Sequence, residues 1–112
     1  MKRSIELADI ITKLKVPDSE EKAFFHSCYI GDIETVREML WYGFNPNIQD
    51  SHGKTPLIIA TQAGHIEIVR LLLANHADIT IRSHMGWTAL QYSVYYLQPA
   101  IAQILQGYGA EE

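Results

Sequence analysis

The sequence predicts an all-α solenoid, in which short helix–turn–helix units stack side by side and β-hairpin-like turns join each unit to the next. Two observations support this prediction. Similar residues recur at a fixed spacing of 33 positions, and each unit holds two short apolar helical patterns separated by a glycine or its replacement. Helices this short cannot bury their apolar faces alone, so the units must stack on one another to form a single core.

Pairs of identical residues share this spacing in both directions from the centre of the chain. They are Gly53 and Gly86, Thr55 and Thr88, Leu57 and Leu90, Gly31 and Gly64, Glu34 and Glu67, Val36 and Val69, and Leu40 and Leu73. This many coincidences at one period indicate a repeat protein.

The central unit shows the local signals for its two helices. Thr55 can cap a helix while Pro56 fills its first position, where the missing N–H costs nothing. The helix stops at Gly64, because glycine tolerates the left-handed conformation at a helix end. A second helix is predicted for HIEIVRLLLANH, whose apolar residues recur three and four positions apart. The segment ADITIRSHMG then forms a polar, hairpin-like turn into the next unit.

Three stretches of the chain resemble a known family. The stretch GKTPLIIATQAGHIEIVRLLLANHADI closely resembles the ankyrin repeat, whose pattern includes T-P-L-H-x-A and a period of 33 residues. AFFHSCYIGDIETVREMLWYGFNPNIQD looks like a divergent preceding repeat, and GWTALQYSVYYLQPAIAQILQGYGA looks like a following one. The resemblance covers residues 18–110 and implies an ankyrin-repeat solenoid.

We expect four segments along the chain. They are an N-terminal capping helix at residues 1–16, ankyrin-like repeat 1 at 17–49, ankyrin repeat 2 at 50–82, and a C-terminal capping ankyrin-like repeat 3 at 83–112. The capping helix is predicted from one apolar stripe formed by Leu7, Ile10, Ile11 and Leu14. An alternative makes this helix a docking segment for a partner.

Repeat 3 departs from the repeat pattern at two places. Leu97 replaces the glycine found at Gly31 and Gly64. Because the left-handed conformation costs a leucine about 1–2 kcal/mol, we expect this link between helices to take another path. Gln106 stands where the other repeats have leucine, as expected for an end repeat whose outer face meets water.

The histidine of the T-P-L-H tetrapeptide is absent from all three repeats. Phe25, Ile58 and Gln91 occupy its place. In the family that this sequence resembles, the histidine joins adjacent loops through hydrogen bonds. The resemblance therefore implies looser loops in this chain.

Composition and charge argue against several functional classes. The chain of 112 residues is 47% hydrophobic and 20% charged, which is typical of one globular domain. A formal net charge of −4 disfavours nucleic acid as a partner. No apolar run approaches the roughly 18 residues of a membrane span. The basic N-terminus could touch a membrane surface, but its mixed acidic residues favour a solvated helix face, so no membrane partner is expected. Because Cys28 is the single cysteine, a disulfide framework is impossible and a reducing, cytoplasmic location is favoured.

No catalytic, cofactor-binding or metal-binding residue is predicted. The five histidines form no zinc-binding pattern. His52 and His84 sit on neighbouring turns, where a polar contact surface is favoured over a metal site. Cys28 is expected to be a small buried residue, since no base is placed beside it. An enzymatic function therefore has little support.

Aromatic residues that packing does not explain indicate a protein-binding surface. In ankyrin-like stacks the turn tips and the exposed side of each first helix form a concave face where binding residues concentrate. Trp, Tyr, Met and Arg are the types enriched at protein interfaces. Mapping by the repeat selects Tyr29, Tyr42, His52, Lys54, Gln62, Arg82, His84, Met85, Trp87, Tyr95 and Tyr96. The alternative is that Tyr95 and Tyr96 pack over the link from Leu97 to Pro99.

The sequence therefore predicts a small adaptor or inhibitor that binds a protein of unknown identity through its concave face and turn tips. The negative net charge weakly favours a partner with a basic surface. A monomer is favoured over a homo-oligomer. Two alternatives remain open: an immunity or antitoxin protein that blocks a toxin or enzyme, and a self-associating structural subunit.

Overall fold

A computed structural model describes residues 19–111 of the chain. Within these residues the chain forms six helices and no β-strand. The helices are α1 (Glu20–Ile30), α2 (Ile33–Trp41), α3 (Pro56–Ala63), α4 (Ile66–Ala74), α5 (Ala89–Tyr95) and α6 (Pro99–Gly107). The predicted all-α class is confirmed. The predicted capping helix at residues 1–16 lies outside the described residues.

The six helices form two rows. In each unit the two helices pack against each other: α1 on α2, α3 on α4, and α5 on α6. Along the stack, α1, α3 and α5 pack side by side and form the first row. The second row consists of α2, α4 and α6. None of the helices in residues 19–111 is both long enough and apolar enough to cross a membrane.

Each first-row helix begins with a hydroxyl side chain that caps it. The hydroxyl groups of Ser19, Thr55 and Thr88 accept hydrogen bonds from backbone amides in the first turns of α1, α3 and α5. Such a cap satisfies an amide that has no partner within the helix. At α5 the Gln91 side chain also accepts from the Thr88 amide, at 2.9 Å. Gln91, which replaces the T-P-L-H histidine, therefore completes a capping box.

One apolar core runs through all three units. Burying a large aliphatic or aromatic side chain stabilises the fold by about 1.5–3 kcal/mol. The largest fully buried apolar side chains are Phe24, Met39, Leu57, Ile58, Ile68, Leu72, Leu90, Ile101 and Leu105. They come from both rows, so the core lies between the rows and between successive units.

The segments before α3 and α5 turn back on themselves as hairpin-like loops. In the first, the Asp50 amide donates to the Lys54 carbonyl oxygen at 2.9 Å. In the second, the Ser83 amide donates to the Trp87 carbonyl oxygen at the same distance, 2.9 Å. These are equivalent bonds one repeat apart, and they fix the shape of both turns.

The two turns are also bonded to each other. The His84 amide donates to the His52 carbonyl oxygen at 2.9 Å. The Gln49 side-chain amide donates to the carbonyl oxygens of Gly53 and Arg82, at 2.8 and 3.3 Å. These hydrogen bonds join the two turns although the T-P-L-H histidine is absent.

The expectation that the Leu97 link takes another path was wrong. Leu97 adopts the left-handed conformation with φ 56, as Gly64 does with φ 80. The following Gln98 amide donates to the Ser93 carbonyl oxygen at 2.8 Å, which closes α5. A Cβ on Gly64 would lie 2.7 Å from the Gln98 side chain, whereas the Leu97 side chain is 85% exposed. Leu97 therefore meets no packing obstacle, and only the backbone cost of about 1–2 kcal/mol remains.

Candidate functional site

One face of each first-row helix is at least partly exposed, and predicted binding residues lie on it. Tyr29 and Tyr95 occupy equivalent positions in α1 and α5, and each is 65% exposed. Gln62 is their equivalent in α3 and is half-buried. The repeat period therefore lines up one predicted side chain from each unit along the same row.

A groove of about 610 Å³ crosses this row, and we call it the central groove. It is lined by Tyr29, Ile30, Lys54, Ile59, Gln62, Ala63, His65 and Tyr96. Two hydrogen bonds cross between units at this groove. The Gln62 Nε2 donates to the Tyr96 hydroxyl at 3.1 Å, and the His65 Nε2 donates to the Tyr29 carbonyl oxygen at 2.9 Å. The groove is thus built by all three units together.

Four aromatic rings beside the groove pack on one another, and we call them the aromatic cluster: Trp87, Tyr92, Tyr95 and Tyr96. The Trp87 ring lies 5.2 Å from both Tyr92 and Tyr95, measured between ring centroids. The Tyr95 and Tyr96 rings are 5.1 Å apart. These contacts hold Tyr95 and Tyr96 against other aromatic rings, while one side of each remains exposed.

Tyr92 anchors the cluster to the core. Its ring is buried, and its hydroxyl forms a hydrogen bond with the Ser83 hydroxyl at 2.8 Å. The Lys54 ammonium lies over the same ring, 5.6 Å from its centroid, within the range of a cation–π interaction. Because Lys54 also lines the central groove, it connects the groove to the aromatic cluster.

The turn tips carry the remaining predicted residues of repeats 2 and 3. His52 and His84 lie on adjacent turns that share a backbone hydrogen bond, and Met85 is 71% exposed beside them. The Arg82 guanidinium donates to the Gly86 carbonyl oxygen at 2.7 Å, so it braces its own turn. Arg82 therefore stabilises its own turn, in addition to lying on the predicted binding surface.

Tyr42 lies apart from these residues. It ends α2, a helix of the second row, and its amide donates to the Glu38 carbonyl oxygen at 3.1 Å. It lines neither the central groove nor the neighbouring groove described next.

A second groove, of about 570 Å³, adjoins α1 and the first turn. Phe25, Tyr29 and Ile59 line it, and Tyr29 and Ile59 also line the central groove. The sequence reasoning did not select Phe25, Ile59 or the buried Tyr92. The sequence did contain a signal for Ile59. Consecutive helical residues point about 100° apart, so the three apolar side chains of Leu57–Ile59 cannot all face the core.

Cys28 is a poor candidate for a nucleophile. Burial raises the pKa of the Cys28 thiol to about 12, so the reactive thiolate is scarce at neutral pH. Within residues 19–111, no three His, Cys, Asp or Glu side chains are grouped so that they could hold a metal ion.

Comparison with known proteins gives consistent matches. The family model described as ankyrin repeats (3 copies) matches residues 9–112. Ankyrin repeat and SAM domain-containing protein 6 of Mus musculus is 32% identical over 111 residues, which is 95% of this chain. Ankyrin repeat domain-containing protein 13C-B of Xenopus laevis is 32% identical over 89 residues, or 77% of the chain. The matched regions span only 13% and 17% of those two relatives.

Proposed function

The chain belongs to the ankyrin repeat family, whose repeats generally serve as protein–protein interaction modules, and we propose that it binds a partner protein through its first-row face. The proposed binding surface consists of the central groove, the aromatic cluster and the turn tips that carry His52, His84 and Met85. No catalytic step is part of this function.

The observation that carries the proposal is that the Tyr95 ring is both packed on other rings and exposed. The ring is packed on Trp87 and Tyr96 and is nevertheless 65% exposed. A large ring that is already held in place loses little conformational entropy when a partner covers it. Tyrosine also buries much apolar area while its hydroxyl keeps a polar contact, which is why it is enriched at binding hot spots.

An adaptor and an inhibitor would use the same surface, so the activity of the captured partner with and without this chain distinguishes them. Inhibition of a toxin or enzyme would favour the immunity or antitoxin function. A cytoplasmic location and a basic partner surface rest on the single cysteine and on the net charge of −4, respectively.

Affinity capture with matched variants tests the proposal. We expect the wild-type chain to capture a partner from native lysate, and Tyr95→Ala to weaken that complex by about 30-fold, as for a hot-spot residue. Trp87→Ala should weaken it similarly once circular dichroism shows that the variant is folded. Tyr108→Ala is the control, because Tyr108 is an exposed tyrosine at the end of α6 in the second row.

Equal capture by wild type, Tyr95→Ala and Trp87→Ala would contradict the proposed surface. So would a loss of capture in Tyr108→Ala that matches the loss in Tyr95→Ala, because the effect would then not be specific to the first row.

Self-association is a second candidate, and one observation favours it. Val94 is 55% exposed, whereas the equivalent residues Cys28 and Thr61 are fully buried under the next unit. An apolar residue at a stacking position could bury itself against a second copy. Static light scattering over a range of concentrations distinguishes a monomer from a self-associating subunit. We expect a constant monomer mass, and a mass that rises with concentration would support self-association.

A further inference from the structure

Lys54 lines the central groove, and its ammonium has no acidic partner among residues 19–111. Its side-chain contact there is the Tyr92 ring, 5.6 Å away. The hydrogen bonds of Lys54 are made by its backbone: its amide donates to Asp50 Oδ1 at 2.9 Å, and its carbonyl accepts from the Asp50 amide. The cation–π contact favours this position of the ammonium before any ligand arrives.

The central groove carries the positive charge of Lys54 and no acidic side chain among its lining residues, although the chain as a whole is negative. No Asp or Glu occurs in residues 51–66 or 79–110. These stretches supply the aromatic cluster, the second turn and all of the groove except Tyr29 and Ile30. Asp50, the acidic residue nearest in sequence to Lys54, uses Oδ1 to accept from the amides of His52 and Lys54, at 2.8 and 2.9 Å. Asp50 and Glu21 line the neighbouring groove instead. The acidic residues that give the chain its net charge of −4 therefore do not line the central groove.

Tyr96 supplies a second donor to the groove. Its hydroxyl oxygen accepts a hydrogen bond from Gln62 Nε2 at 3.1 Å, which leaves its own proton to point elsewhere. Among the described residues no acceptor takes that proton. The central groove thus presents an ammonium and a phenolic O–H together, beside the apolar side chains of Ile30 and Ile59.

From this geometry we propose that the central groove binds a segment of the partner through the carboxylate of an Asp or Glu side chain, which pairs with the Lys54 ammonium and accepts the Tyr96 hydroxyl proton. The proposal rests on the proposed function and names the chemistry of the partner at this groove. A basic side chain placed here would be repelled by Lys54, so the net charge of the chain is a poor guide to what this groove binds. Charge-assisted hydrogen bonds of this kind give both affinity and register.

A peptide selection tests the carboxylate directly. A random library of peptides displayed on phage is selected against the immobilised full chain, and the enriched sequences are compared with the starting library. We expect enrichment of Asp and Glu. The most enriched peptide is then synthesised, together with a version in which its acidic residue is replaced by the amide, and binding is measured by fluorescence polarisation.

Matched variants assign the effect to the groove. We expect Lys54→Met to weaken the selected peptide by about 10-fold or more, and Lys54→Arg to retain most of the binding because the charge remains. Arg70→Met is the control, since it removes the same charge from α4 in the second row. The amide peptide should bind wild type and Lys54→Met equally weakly, and Tyr96→Phe should weaken the acidic peptide by about 3–10-fold.

Enrichment of Lys and Arg, or of peptides without a carboxylate, would overturn the proposal. Equal binding of the acidic peptide to wild type and to Lys54→Met would also overturn the proposal, provided that circular dichroism shows both proteins to be folded. If no peptide is enriched, the groove does not bind an extended acidic segment and the proposal fails. The proposed function would still stand if the partner captured from lysate is lost in Tyr95→Ala.

Discussion

Repeats 2 and 3 have equivalent turns and helices, but equivalent residues meet different neighbours. Gly53 and Gly86 both have positive φ, at 76 and 84. A Cβ on Gly53 would lie 2.8 Å from the His84 amide nitrogen, whereas no atom of residues 19–111 lies within 4 Å of the same position on Gly86. The same glycine therefore serves two purposes in repeat 2, turn geometry and close stacking, and only the first in repeat 3.

The helices show the same contrast. Thr61 of α3 is fully buried under the next unit, while its equivalent Val94 of α5 is 55% exposed. Gly64 is covered by the Gln98 side chain, while Leu97 points into open space. The residue type at a repeat position is thus constrained by the unit that packs over it. Repeat 3 tolerates other residue types at positions that no described unit covers.

The largest expected difference between the two repeats concerns apolar side chains of the first row. Ile58 is fully buried between units, and Ile58→Ala should lower the free energy of unfolding by about 2–5 kcal/mol. Val94→Ala removes an exposed apolar side chain and should change it by less than about 0.5 kcal/mol. Urea unfolding followed by circular dichroism measures both, and similar losses in the two variants would contradict the contrast between buried and open faces.

A smaller difference is expected for the turn glycines. Gly53→Ala and Gly86→Ala both force an alanine into positive φ, at about 1 kcal/mol each. Only Gly53→Ala also presses on the backbone of the next turn, which should cost about 1–3 kcal/mol more. The difference between the two free energies of unfolding isolates the stacking of the turns. Equal destabilisation would mean that the turn of repeat 3 moves away freely and that the close approach is not needed.

The smallest expected effect is a gain in stability. The Thr61 hydroxyl oxygen is buried without a hydrogen-bond partner among the described residues. Thr61→Val keeps the shape and removes the unsatisfied group, so it should raise the free energy of unfolding by about 1 kcal/mol. Val94→Thr, the reverse exchange at the open position, should stay within about 0.5 kcal/mol of wild type. A loss of stability in Thr61→Val would show that the hydroxyl is satisfied, for example by a buried water.

The sequence predicted the parts of this structure that local chemistry decides. Thr55 and Pro56 were expected to begin a helix and Gly64 to follow its end, and the structure confirms all three. Leu97 was expected to avoid the left-handed conformation because of its backbone cost. The expectation failed because the Leu97 side chain is exposed, so packing adds no further cost. Such a judgement depends on what packs across the stack, which the residues of one repeat do not encode.

The candidate site shows the same limit. The 33-residue period was enough to place Tyr29, Gln62 and Tyr95 in equivalent positions. It could not show that Lys54 lies over Tyr92, since that contact joins two different repeats. Tyr92 was missed because it is buried, and its part in the site is to hold the side chains around it.

Amide NMR of the chain bound to its captured partner tests most directly whether the first-row face is the binding surface. We expect chemical-shift changes in residues 51–65 and 82–96 and around Tyr29, with α2, α4 and α6 unchanged. Changes confined to α2, α4 and α6 would contradict the proposed surface, whatever the identity of the partner.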